Sequence, residues 1–302
     1  MEHDAPIDPT IQHAQIRKDA QILKVAASLG FLHAGADSAP RLMAILCAPQ
    51  VSEREIAALI KQQPAIYARV LRVANSPYYG QTRVISSIER ALPVLGLDGI
   101  RGIAAAACLS QTVNSRVLGS PLDMKAWLEH SLATAAAAES LARIHHGLLS
   151  SEAFIAGLLH NLGVVVQVQL DTPGVEAIIR ARQAGDTRDI RALEAQCAVV
   201  GHEECVAVIL EAWHLPDALV AAVRHHHDPA AAPAAYSLLA ALVNLGANLS
   251  LASGYTYALE PAPAQYSAQV LAQLGLSVQD IEEVSAELPG RAARLRSALG
   301  SA

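Results

Sequence analysis

The chain has 302 residues, with 22 Lys and Arg against 28 Asp and Glu, a formal net charge of −6 with histidine neutral. Hydrophobic residues make up 52% and charged residues 17%, which excludes a disordered chain and argues against a charge-driven nucleic-acid binder, since that needs a basic excess. Aromatic residues are only 4%, so alanine, leucine and valine carry the hydrophobicity, a composition that favours helices over a β-sandwich.

Residues 11–29 read as a helix, with Ile16, Ala20, Leu23 and Ala27 at helical spacing and Gly30 at its end. A second helix covers Arg41 to Leu46. Ser52-Glu53-Arg54-Glu55 is a capping box ahead of Ile56, Leu59 and Ile60. Pro64 lies past that helix, and Ile66, Val70, Leu71 and Val73 continue as another. Asn75 to Gly80 reads as a helix C-cap and turn. Ser86-Ser87-Ile88-Glu89 reads as a second capping box, Gly96 punctuates, and Asp98 starts a helix with Ile100, Ile103 and Leu109.

Residues 114–123 are loop-like and mark a domain boundary. A helix follows from Met124 to His145. Ser150 or Ser151 caps the next, which holds Phe154, Leu158 and Leu162 and runs on through Val164 to Leu170. Thr172-Pro173 starts a helix reaching about Ala184. Asp189 to Cys197 and His202 to Trp213 make two more, Pro216 opens another, and Tyr236 to Ser253 is long and buried. The tail, Ser267 to Leu299, holds two short helices. No strand and no fixed repeat is evident. The expected fold is all-α: an N-terminal helix within 1–29, two packed helical subdomains at 30–115 and 120–255, and a helical tail at 260–302.

Cys47, Cys108, Cys197 and Cys205 form no CxxC pair, so a reduced, cytoplasmic protein is expected. The acidic N-terminus, with Glu2, Asp4 and Asp8, is not a signal peptide. Two charge-free runs, 153–170 and 230–259, contain His160, Asn161, Gln167, Pro233, Asn244 and Asn248. They read as core helices rather than membrane spans.

Twelve histidines are present. His130 lies mid-helix, His160 and Asn161 sit inside Leu158-Leu159-His160-Asn161-Leu162-Gly163, His202 opens a helix after Gly201, and His225 to His227 end one. Singly, each fits a hydrogen-bonded core histidine or a cation at a helix C-terminus; His145 and His146 are read in the second way. Together, inward imidazoles can meet around one ion. Arg69, Arg72, Arg83, Arg90 and Arg101 read as solvated charge rather than a face for an anionic ligand. No GxGxxG, GKS/T or GxSxG motif is present.

The Leu158 to Gly163 stretch resembles the "LLHDIG" core of the HD superfamily of phosphohydrolases, and the chain from about 35 to 255 resembles its HDOD branch. The first half carries Ile60 to Pro64, Val70-Leu71-Arg72-Val73-Ala74-Asn75-Ser76, Ser86-Ser87-Ile88, Ala91 and Leu95-Gly96. The second adds Trp127 with His130-Ser131, Gly201-His202, Trp213 with Leu215-Pro216, and His226-His227-Asp228-Pro229. The resemblance implies an HDOD-type first subdomain and an HD-like second one.

The HD pattern is a histidine, a His-Asp pair and a late aspartate. His130 matches the first and His160 the second, but Asn161 stands where the metal-binding aspartate belongs. The late aspartate falls at Ala247 or Asn248. His202, His226 and His227 match extra histidines of the wider superfamily. Carboxylates hold hard divalent ions and bridge pairs of them, so the expectation is a vestigial site without turnover. No cofactor or metal is expected; an all-histidine set of His130, His160, His202 and His226 could still trap zinc or nickel.

The resemblance implies a bacterial signalling or regulatory module that works by protein–protein contact. Its expected partner is a signalling protein in trans or a second copy, with no nucleic acid or membrane. The alternatives are a metal-dependent phosphohydrolase with a histidine-rich site, and a sensor for a small anionic ligand such as a cyclic nucleotide.

Overall fold

Ser52 shows how local chemistry starts this fold. Its hydroxyl accepts from the Glu55 amide while the Glu55 carboxylate accepts from the Ser52 amide at 2.9 Å, the reciprocal cap expected there. In the computed structural model, which describes residues 9–29, 39–48, 51–76, 79–114, 120–260 and 267–299, this cap opens α3 (Glu53–Lys61). Around it lie α2 (Ala39–Cys47), α4 (Pro64–Ala74, with Pro64 at its start) and α5 (Ile88–Asn114). Asn75 ends α4 and locks the loop beyond it: its amide donates to Leu71 O and Ile85 O, and its Oδ1 accepts from Ile85 N. The turn reading therefore has a specific cause, although Pro77 and Tyr78 lie outside the described residues.

Two local expectations are corrected. The second capping box is not formed, because α5 begins at Ile88 and places Arg90, not Glu89, opposite the Ser87 hydroxyl; Glu89 pairs with Lys61 of α3 instead. The anticipated stop at Gly96 survives only as a kink within α5, where Gly96 takes φ 70°, open to glycine and strained for other residues. Arg69 and Arg101 also depart from the expected solvated charge: both are half-buried and donate to Ala107 O and Val51 O inside the fold, which takes them out of any basic face as well.

The second subdomain is built around α6 (Met124–His145), capped by Asp123. Its alanine face admits close neighbours. A Cβ at Gly157 of α7 (Ser150–Leu159) would sit 3.0 Å from Ala135 Cα, and one at Gly246 of α13 (Ser237–Ala252) would sit 2.9 Å from Ala138 N. The remaining helices are α8 (Leu162–Leu170), α9 (Thr172–Gln183), α10 (Ile190–Gln196), α11 (His202–Ala212) and α12 (Asp217–Arg224). The continuous helix expected through residue 170 is broken at His160 and Asn161, where Asn161 leaves helical geometry at φ −100°, ψ 11°. Nor does Ser150 cap α7: it is already helical and donates back to Gly147 O.

The N-terminal helix α1 (Pro9–Ser28) packs on α8 and α11, with Gln15 and Lys18 both on Glu204. The tail holds α14 (Ala268–Leu274) and α15 (Val278–Leu299). The second of these is long rather than short; it lies along α6 and α4 and so touches both subdomains. One continuous apolar core runs from Ile22 to Ala292. Ile88–Ser110 and Ser150–Leu170 are long and apolar enough to cross a membrane, but the latter is 89% buried inside the fold, as the polar residues within it anticipate. The four cysteines are free, and burial pushes the Cys47 thiol up to about 12. Among the described residues there is no β-strand, and the fold is all-α in two packed helical subdomains with a helical tail; most of the 114–123 boundary loop, residues 115–119, lies outside them.

Candidate metal centre

The break between α7 and α8 places His160 at the end of one helix and Asn161 at the start of the next, both fully buried. Gly163 makes room for what faces them. A Cβ there would lie 1.9 Å from His202 O and 2.8 Å from Val206 N, so the first turn of α11, which carries His202, can approach only glycine. His130 comes from α6, and His226 and His227 from the turn after α12. All five side chains converge. His130 and His160 approach Nε2 to Nε2 at 3.3 Å. His202 Nε2 lies 3.4 Å from His226 Nε2 and 3.1 Å from His227 Nε2. The His160 and His226 rings, 5.0 Å apart, join the two groups.

The outward-facing nitrogens fix the tautomers. His130 Nδ1 meets Tyr255 O at 2.9 Å, His160 Nδ1 meets Gly157 O at 2.7 Å, and His226 Nδ1 meets Val223 O at 2.8 Å. His202 Nδ1 meets the Glu194 carboxylate at 2.7 Å. Carbonyl and carboxylate oxygens only accept, so these four Nδ1 atoms carry the hydrogens and donate. In the neutral rings, each Nε2 then points a lone pair at the others. Lone pairs facing at this range repel unless a proton or a metal lies between them. Zinc–imidazole bonds of about 2.0–2.1 Å set the edge of a tetrahedron at roughly 3.3–3.4 Å, close to the spacings observed.

Carboxylates surround the rings. Glu194 is itself held by the Gln167 amide and by the His202 backbone N–H. Glu203 accepts from His227 N. Glu260, in the strap that follows α13, places Oε2 3.8 Å from His130 Nε2 and Oε1 3.6 Å from His227 Nε2. Asn161 donates to Tyr257 OH at 3.1 Å and to Glu260 Oε2 at 3.3 Å, while its own buried Oδ1 has no hydrogen-bond partner among the described residues. Trp127 Nε1 donates to Asn161 O and fixes the junction from below.

Burial pushes His130 down, and burial with neighbouring imidazoles pushes His160, His226 and His227 well down. His202 differs. Burial opposes its charge, but the Glu194 carboxylate prevails and lifts it to about 9. Burial likewise raises Glu194, and the His202 contact more than reverses it. His130, His160, His226 and His227 are thus kept in the neutral, metal-binding form, whereas Glu194 holds His202 protonated, and a bound ion would displace its Nε2 proton.

The sequence-derived candidates His130, His160, Asn161, His202, His226 and His227 come together here. Asn248 does not: its amide donates to Asn244 O one turn back along α13, and Asn244 in turn holds His226 O. Ser250 is the α13 residue that reaches His130. Glu194, Tyr257 and Glu260 were not anticipated from sequence. Glu260 had a signal, being the first charge after the charge-free run 230–259. The donor set, imidazole with carboxylate, fits a zinc-class divalent ion better than a hard one.

Comparison with known proteins agrees with this architecture. A Treponema pallidum (strain Nichols) protein of uncharacterised function is 29% identical over 254 residues, covering 80% of this chain and 47% of its own length. The chain thus spans about half the length of the curated relative it matches. A Marinobacter aquaeolei VT8 structure, provisionally named for signal transduction, superposes with a TM-score of 0.74 at 24% identity, covering 95% of this chain and 66% of that one. An HDOD domain protein of unknown function from Geobacter sulfurreducens gives 0.70 at 24% identity, covering 94% and 97%. These likenesses carry the fold. The HDOD domain family itself matches residues 32–229, taking in α2 through the turn that supplies His226 and His227, and the chain belongs to that family.

Proposed function

We propose that this chain is a non-hydrolytic regulatory module of bacterial signal transduction whose histidine centre holds a divalent ion of the zinc class. The observation that carries the reading is the donor cluster. His202, His226 and His227 offer nitrogens that all lie within 4.8 Å of one another, with His130, His160 and the Glu260 carboxylate next to them. Catalytic zinc sites keep a position open for water, whereas structural ones are closed. Here Tyr257 and Glu260 lie beside the rings, each accepting from Asn161. No carboxylate occupies position 161 or 248 to bridge a second ion. A bound ion would supply positive charge and cross-link α7, α11 and the turn after α12. His202, His226 and His227, whose donor nitrogens lie within 4.8 Å of one another, would hold it with His160 against His226, and Glu194 would orient His202. The signalling role rests on HDOD membership and on the provisional name of one structural neighbour. Such a module acts in the cytoplasm by contact with a signalling protein in trans or with a second copy.

Elemental analysis of the purified, untagged protein beside His160→Ala tests this. Near-stoichiometric zinc, nickel or a related metal in the parent, lost in the variant, is the expected result, with no phosphoester hydrolysis by either. Metal-dependent hydrolysis that disappears in His160→Ala overturns the non-enzymatic part. A well-folded parent that takes up no metal overturns the ion.

A second reading, a sensor for a small anionic ligand, has one observation in its favour. A cavity of about 310 Å³ between α4, α5, α6 and α15 is lined by Arg143, Arg291 and Arg294. Asp98 and Glu139 share that lining, which leaves little net charge for an anion. A melting shift with cyclic nucleotides would raise this reading.

A further inference from the structure

Asn161 and Glu260 are 99 residues apart in the chain and touch in the fold. One is a position that lacks an acid; the other is an acid where none was anticipated. We propose that Glu260 is the carboxylate ligand of the histidine centre, delivered in cis by the 253–260 strap, so that an ion bound there latches the strap shut. The proposal rests on the reading that the centre holds a divalent ion.

The charge balance requires such a group. A doubly charged ion held only by neutral imidazoles would be an uncompensated buried charge, which is strongly unfavourable. Glu194 offsets part of it from behind His202. Glu260 is the acid that faces the Nε2 side, within 4 Å of rings from both histidine groups. Its carboxylate spans the gap between His130 and His227, so one residue ties together groups carried by α6 and by the turn after α12.

Residue 161 permits this. An aspartate there would place a second carboxylate against Glu260 Oε2, where the amide nitrogen now donates at 3.3 Å. Like charges at that distance repel. The amide removes the repulsion and adds a hydrogen bond, so the asparagine at 161 and the glutamate at 260 act as one exchange: the carboxylate moves from the helix junction to the strap.

The strap is otherwise built to sit on the site. Tyr255 O accepts from His130, Tyr257 OH accepts from Asn161, and Leu259 O accepts from Arg182 of α9. Tyr257 and Glu260 close the turn by a pair of backbone hydrogen bonds. Tyr257 and Leu259 are buried. The strap runs between α13 and the tail, whose α15 lies on both subdomains. Tyr255 of the strap lines a small cavity with Ala292 and Arg296 of α15, so a latch at Glu260 would reach an element that touches both subdomains.

The test uses Co2+ as a spectroscopic probe on the full chain, with amide hydrogen exchange over 253–260. In the parent, Co2+ binds and slows exchange in the strap. In Glu260→Gln, affinity falls by about 10- to 100-fold, on the scale of lost supporting groups at metal sites, the visible absorption changes, and strap exchange no longer responds to the ion. Wild-type affinity and spectrum in Glu260→Gln overturn the proposal while leaving the histidine site standing. So does a strap indifferent to Co2+ in the parent. A parent that binds no Co2+ overturns the histidine site and the latch together. Asn161→Asp gives an independent arm in the metal-free protein: strap exchange rises, and Asn161→Asp with Glu260→Gln restores it. No rise in the single variant overturns the exchange of carboxylates.

Discussion

Helix α6 carries two polar networks, and they are completed differently. Near its C-terminal end, Glu139 receives Arg143 of the same helix at 2.7 Å and Arg291 of α15 at 2.6 Å. The charges needed are all supplied by side chains, and the network is closed. Nearer its N-terminal end, His130 meets His160 with nitrogen facing nitrogen, and three more imidazoles stand behind. Every outer nitrogen named above has its acceptor, but the inner ones have too few protons among them. A closed network positions helices; an open one with converging lone pairs asks for a cation. The difference locates the site more sharply than burial does, since Glu139 is buried as His130 is.

Breaking the open network should cost most where the backbone itself must move. Gly163→Ala would drive a Cβ into His202 O and two further backbone atoms of α11. Backbone offers no rotamer to relieve the clash, so the loss is expected at the top of the overpacking range, about 3 kcal/mol. Urea unfolding checks this, and metal content should fall with it because His202 is displaced. Metal alone gives the next largest effect. At a free ion concentration of 100 Kd, linkage stabilises the folded state by about 2.7 kcal/mol. The melting temperature of the parent should rise accordingly with added zinc, whereas that of His160→Ala should not respond.

The closed network sharpens the contrast by failing to respond. Glu139→Gln removes the charge shared by Arg143 and Arg291, whose side chains are 54% and 24% exposed. Water screens both partners, so the loss is limited to about 1 kcal/mol and should shrink in salt. Metal uptake should stay as in the parent, although the mutation lies on the same helix as His130. A change in metal content here would mean that α6 transmits strain between the two networks.

How much of this was legible follows the same division. Helices with end signals are readable: Ser52 before α3 and Gly201 before α11. So are the five histidines, since polar rings inside apolar helices must find partners. The break at His160 and Asn161 is not, because an apolar run from Ala153 to Leu170 has no local breaker strong enough to mark it. It arises from tertiary demand: Trp127 takes Asn161 O, and α11 comes close over Gly163. Asn248 was assigned to the site by its place in a pattern, and the helix turned it one step away, toward Asn244. Glu194 and Glu260 are missed for a related reason. Glu194 reaches His202 from α10, just before α11, and Glu260 reaches His130 from the strap; neither spacing follows a metal-site pattern.

The smallest effect tests whether the two subdomains are as independent in energy as they are in chemistry. Ser52→Ala removes the hydroxyl that accepts from Glu55 N and frees the Glu55 carboxylate from that hydroxyl. The cap lies on an exposed turn of the first subdomain, and its loss should cost about 1 kcal/mol. Hydrogen bonding to Ser52 holds the Glu55 carboxyl below its ordinary range. A group lowered on folding contributes its share above the unfolded pKa and loses it as pH falls through the folded one. The deficit of Ser52→Ala relative to the parent should therefore narrow in acid. Metal affinity should be untouched, because a change confined to the α3 cap has no route to the imidazoles except through the shared core and α15. If zinc affinity nevertheless moves with Ser52→Ala, the first subdomain is coupled to the ion through that shared core, and the tail helix that lies on both is where the coupling should be sought.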